Sequence, residues 1–209
     1  MNFGPVFARL LLAMGIYAGA AGLLRLFWGM DEELRNCGMN SIVRKWFFYS
    51  TSVCIPLILR LNVISPAVWI SICLLGVYLA VSSVTDTELF QVYDVLQYIG
   101  VIGGVIWLWH QKPPAGAGIS LLLFALIQYG VFMRMYGKAD GMGYCVCSLY
   151  LAGEGYGLEG FLYHMLAGFL VLTLAQLFRC NISTKGQLKQ PIALFPYILG
   201  GFMILWYSK

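Results

Sequence analysis

Charge is what this sequence has least of. Only 11% of its 209 residues are Asp, Glu, Lys or Arg, whereas 60% are hydrophobic and mean hydropathy is +0.79. A soluble domain keeps its surface wet with roughly 25% charged residues. The shortage excludes a water-soluble globule and predicts an integral membrane protein in contact with a lipid bilayer. The net charge of +4 is small and spread among loops, so no basic stripe argues for nucleic acid. Histidine is nearly absent: His110 and His164 stand beside no serine or cysteine constellation, which gives serine- or cysteine-type hydrolysis little support. The six cysteines, Cys37, Cys54, Cys73, Cys145, Cys147 and Cys180, form no C-x-x-C. Zinc needs about four ligands at close spacing. Neither a metal nor a cofactor is expected, and the thiols read as small buried side chains.

What the chain has instead is apolar length. A bilayer core needs about 20 apolar residues per helix. On that measure candidate helices run over 5–24, 46–59, 63–84, 94–109, 118–135, 141–153, 158–178 and 191–207, with the second and sixth short. The expectation is an all-α polytopic membrane bundle with six to eight transmembrane helices, forming a single domain over 1–209. Arg9, the apolar run after it and Ala18-Gly19-Ala20 also resemble a signal peptide. Because the run continues through Leu23 and Leu24 to Phe27 and Trp28, a retained helix is expected. Pro113-Pro114-Ala115-Gly116 and Gly153-Glu154-Gly155-Tyr156-Gly157 read as tight turns. Gly100 and Gly104 have the spacing of a close helix contact. Trp107, Trp109, Trp206 and Tyr207 look like interfacial anchors.

The loops give an orientation. With 25–45 on the cytoplasmic side, alternation puts 85–93, 136–140 and 179–190 there too. Those stretches and their helix ends hold Arg25, Arg35, Arg44, Lys45, Arg134, Lys138, Arg179, Lys185 and Lys189. The other side keeps Arg60, Lys112 and Lys209, with Arg9 inside the first segment, so nine stand against four. That asymmetry follows the positive-inside rule.

Two carboxylates then stand out. Asp86 closes one apolar run and Asp140 follows another, both on the predicted cytoplasmic side. A carboxylate at a membrane boundary is costly to desolvate, so two on that side suggest one shared site. Around them the chain reads T-D-T-E-L-F-Q-V-Y-D from Thr85 to Asp94 and Y-G-K-A-D-G-M-G from Tyr136 to Gly143. An Asp beside Gly at a helix start also reads as a simple N-cap.

In order and spacing these stretches resemble the prepilin peptidases, membrane aspartic peptidases of the GxGD type. That family's first motif is D-x-x-x-x-x-I-P-(D/N). Asp86 is followed at the matching offsets by Val92, Tyr93 and Asp94. Its second motif, G-x-G-D-x-K, falls on Gly137, Lys138, Ala139, Asp140, Gly141 and Met142. A C-terminal segment like I-P-F-G-P-F-L matches Pro191 to Leu199. The resemblance covers about 63–209, leaving 1–62 as additional N-terminal helices. Ala139 stands for a motif glycine, tolerable where φ is negative, Met142 for lysine and Tyr93 for proline. Lys138 can supply the missing positive charge from a neighbouring position. The place of the family's C-x-x-C insert is a short loop, Met30 to Trp46, so the chain looks like the short form without methyltransferase, as in Flp/Tad-type pilus systems.

The resemblance implies an endopeptidase of the bacterial inner membrane with its active site on the cytoplasmic side. It would remove the short basic leader from pilin-like precursors, with Asp86 and Asp140 as the catalytic dyad. Asp31, Glu32, Glu33, Glu88 and Asp94 are candidates to meet a basic leader, although a solvated acidic loop explains Asp31–Glu33 as well. The alternatives are a degenerate or non-enzymatic relative acting in pilus assembly, or a small transporter using the two aspartates as proton or ion carriers.

Overall fold

The computed structural model describes residues 3–60, 65–182 and 192–208. Helices run in the order α1 (Phe3–Met30), α2 (Glu32–Asn36), α3 (Met39–Arg60), α4 (Pro66–Leu89), α5 (Asp94–Gln111), α6 (Ala115–Ile127), α7 (Met133–Tyr136), α8 (Lys138–Gly153), α9 (Leu158–Ile182) and α10 (Phe195–Ser208). A single π turn, Gln128–Phe132, joins α6 to α7 in one continuous rod. There is no strand among the described residues. The protein is an all-α bundle.

Local chemistry sets the helix ends. The Asp31 carboxylate accepts from the N–H groups of Glu33 and Leu34 at 2.8 and 3.3 Å and so caps α2. Ser65 caps α4 by accepting from Val68 N–H at 3.3 Å, and Pro66 follows where its missing N–H costs nothing. At its other end α4 stops because Phe90 turns left-handed, with φ 54°. Gly137 has φ 113° and ψ 154°, a conformation open only to glycine, and there the chain leaves α7 and enters α8.

Among the described residues, five stretches are long and apolar enough to cross a membrane: Val6–Met30, Met39–Leu59, Pro66–Leu89, Ala115–Tyr136 and Leu158–Phe178. Four of them turn mostly outward, whereas α4 is largely enclosed by its neighbours α1, α3, α5 and α10. α8 lies against α5 and also meets α6, α9 and α10. Gly100 and Gly104 serve the close contact expected of them, lying against Val146 and Leu149 of α8. Another close crossing joins α9 and α10, where a Cβ at Gly201 would fall 2.6 Å from the Gly168 nitrogen.

All eight apolar segments fold as helices, with ends that differ from expectation. α1 continues to Met30, and α3 starts at Met39 rather than 46, so the basic pair Arg44 and Lys45 rides on a helix. α4 continues to Leu89, which carries Asp86 on its last turns instead of in a loop. Trp107 and Trp206 are buried and stack obliquely at 5.7 Å, and Trp107 Nε1–H donates to the Tyr150 carbonyl at 3.0 Å. These two are core residues rather than anchors; Trp109 and Tyr207 remain exposed. Val63 at the start of the third segment, Lys185, Lys189, Pro191 and Lys209 lie outside the described residues, as do the side chains of Arg60, Arg179 and Cys180.

Candidate functional site

Asp86 is buried, at 6% exposure, on the final turns of α4. Its Oδ2 accepts from the Phe195 N–H at 2.7 Å, across 109 residues of sequence. Phe195 opens α10, so the carboxylate supplies an acceptor to a helix N-terminus whose first N–H groups have none of their own.

Asp140 comes to the same place from α8. It is the third residue of that helix, in the turn after Gly137 and outside the five long spans. It is not the N-cap: that position belongs to Gly137, and no side chain caps this helix start. The Asp140 carboxylate accepts no hydrogen bond among the described residues. Its proton affinity is pushed up to about 7, first by burial and then by the charge of Asp86.

Phe195 links the two helices that carry the carboxylates. While its N–H holds Asp86, its ring lies against α8 at Gly143, where an added Cβ would be 2.8 Å from Phe195 Cε2. The ring also meets Tyr78 of α4 edge-on at 5.5 Å. Tyr78 donates its hydroxyl to Gln97 Oε1 at 2.8 Å, and Gln97 Nε2–H donates to the Ala139 carbonyl at 3.3 Å. Two independent links therefore tie the α4 helix to the Ala139–Gly143 stretch.

The other motif residues fall as follows. Ala139 is helical with negative φ, so a side chain is tolerated where the related motif has glycine. Gly141 is buried against Met133, and Lys138 is exposed. Asp94 is exposed in the first turn of α5. Glu88 is engaged by Lys45 at 3.1 Å and by the Ser41 hydroxyl at 2.6 Å. Asp31 is committed twice, to its cap and to the Tyr93 hydroxyl, which donates to it; that bond and the cap bonds hold its carboxyl below the usual range. Tyr93 also stacks on Phe27 at 4.2 Å. Glu32 and Glu33 stay exposed.

Sequence reasoning missed several contributors. Lys45 reads there only as a topology signal, although its Nζ reaches the Thr87 carbonyl at 3.3 Å beside Asp86. Gln97 and Gln128 are buried amides in apolar helices, a polar signal that was available. Gln128 accepts from the Tyr136 hydroxyl, immediately before Gly137, and donates to Met165 Sδ at 2.9 Å. The Phe195 N–H has no side-chain signature at all.

One carboxylate held by a helix N-terminus and a second without a donor can share a proton and polarise a water between them, or hold a small cation. No cluster of three or more His, Cys, Asp or Glu suited to a metal occurs among the described residues. Comparison with protein-family models, with characterised proteins and with solved structures finds no match to this chain.

Proposed function

We propose that this chain is a membrane aspartic endopeptidase of the prepilin type, with Asp86 and Asp140 as its dyad. The observation that carries the reading is their convergence. Two partly or fully buried carboxylates 54 positions apart in sequence come within electrostatic reach of each other, at one end of α4 and the start of α8. Like charges so placed do not both ionise readily, so one keeps a proton while the other stays charged.

The chemistry follows from that asymmetry. The ionised carboxylate takes a proton from a water lying between the pair, and the protonated one hydrogen-bonds the scissile carbonyl as the hydroxide adds. Proton return to the leaving amine completes the cleavage. The two groups titrate together, so acid and base are assigned to the pair rather than to either residue. Positioned proton transfer of this kind contributes about 10²–10⁴-fold in rate. The substrate is a pilin-like precursor, cut after its basic leader at the cytoplasmic face of a bacterial inner membrane. The motif order around Asp86 and Asp140 supports that choice.

Co-expression with pilin-like precursors of the same genome, read by precursor mass, tests the proposal. Wild type should remove a leader-sized fragment, and Asp86→Asn and Asp140→Asn should not, while all three remain membrane-inserted. Cleavage that persists in both variants would return Asp86 to the role of a cap for α10 and assign the cut to another protease.

A further inference from the structure

The cytoplasm-proximal ends of α1 and α3 splay apart into a groove that the dyad does not use. Ala21, Leu24, Arg25 and Trp28 line it from α1, at the i, i+3, i+4, i+7 spacing of a single helix face. Met39, Ile42, Val43 and Trp46 line it from α3 at the same spacing. Its volume is about 370 Å³. The groove is open on one side and lined almost wholly by apolar side chains, which suits an acyl chain.

Its polar features are few and of one kind. Arg25 is the one charged lining residue; it is exposed and has no carboxylate partner among the described residues. Trp46 Nε1–H is shut off from solvent and has no acceptor among the described residues. Lys45 is paired with Glu88, Asp31 is committed to its cap and Tyr93, and Glu32 and Glu33 sit on α2 outside the lining. An apolar slot that carries one cation and is flanked by two tryptophans matches an amphiphile with an anionic head. Tryptophan favours the membrane interface, and basic residues favour an anionic leaflet.

We propose that this groove is a binding site for one anionic phospholipid, its acyl chain lying between α1 and α3 and its phosphate on Arg25. The site is independent of the dyad and of the peptidase reading.

Native mass spectrometry of the detergent-solubilised full chain tests it, with phosphatidylglycerol and phosphatidylcholine of matched chains as probes. Wild type should retain one phosphatidylglycerol, preferred roughly fivefold over phosphatidylcholine for a single interfacial cation. Arg25→Gln should erase that preference and Arg25→Lys should keep it, which separates loss of charge from loss of fold. Ala21→Phe, which fills the slot, should lower retention of both lipids. The proposal is overturned by equal retention of the two lipids in wild type, or by a preference that survives Arg25→Gln. Displacement of phosphatidylglycerol by inorganic phosphate at equal concentration would also overturn it, because the site would then read phosphate without a chain.

Discussion

Lys45 Nζ stands 3.1 Å from the Glu88 carboxylate, joining α3 to the end of α4. The same ammonium donates to the Thr87 carbonyl at 3.3 Å, and Ser41 of α3 donates to Glu88 at 2.6 Å. Thr87 and Glu88 are the two residues after Asp86, so α3 holds the turn from which that carboxylate projects. The pair is partly buried and braced by both α4 contacts. Its weight lies in position.

Lys45→Met should therefore lower kcat more than it raises KM. A misplacement worth about 1.4 kcal/mol at the transition state is about tenfold in rate. Lys45→Arg should restore most of the loss. Steady-state kinetics on a purified precursor checks this; an unchanged kcat in Lys45→Met would limit the pair to packing.

The raised proton affinity of Asp140 has a pH signature. Activity should fall as pH rises through about 7, where the second carboxyl of the pair loses its proton. Stability moves the same way. A carboxyl whose folded value lies above its unfolded one contributes fully below the unfolded value and loses that contribution as pH rises through the folded value. Asp140→Asn should thus gain thermal stability over wild type at pH 8 and lose the advantage at pH 4. Melting curves in detergent at the two pH values decide it, and a pH-independent difference would contradict the assignment.

Gly137 and Ala139, on either side of Lys138, make separate predictions. Gly137→Ala has space, since a Cβ would meet only Asp140 Oδ2 at 3.6 Å, yet φ 113° is strained for any side chain. It should cost about 1–3 kcal/mol and shift Asp140, with activity lost beyond what stability explains. Ala139→Gly, which recreates the related motif, should give no gain and a loss of about 1 kcal/mol from helix propensity. Paired melting and cleavage measurements separate the two.

Tyr93 occupies the place of a motif proline but has work of its own. Tyr93→Phe removes the donor to Asp31 and should lower the melting temperature slightly while leaving the stack on Phe27. Asp31 should then titrate closer to an ordinary aspartate, a shift visible by carboxyl NMR.

The apolar segments were readable because each needs only length and hydropathy, and all eight fold as helices. The ends were harder. The early start of α3 was hidden because Ser41, Arg44 and Lys45 make its first turns look like loop, yet two of these side chains are used against α4. Asp86 and Asp140 could be named because carboxylates are rare in apolar sequence. Their support could not, since it comes from a backbone N–H at Phe195 and amides such as Gln97 whose partners are tens of residues away. Trp107 and Trp206 show the same limit: position near a helix end suggests a surface, and only packing reveals a buried pair.

The π turn at Gln128–Phe132 sets the angular phase of everything after it. Each residue advances a helix by about 100°, so a wide turn here fixes the direction in which α7 delivers the chain to Gly137. A π turn takes in one residue more than an α turn, which is why Gln128 and Tyr136, eight positions apart, meet on one face. Deleting a residue within this turn would restore an α-helix with nearly the same phase at its far end, whereas a deletion elsewhere in the rod would turn Gly137 and Asp140 by about 100° around its axis. The hydropathy profile would scarcely register either change, so the place where the rod gains or loses a residue is as much a determinant of the site as the aspartate itself.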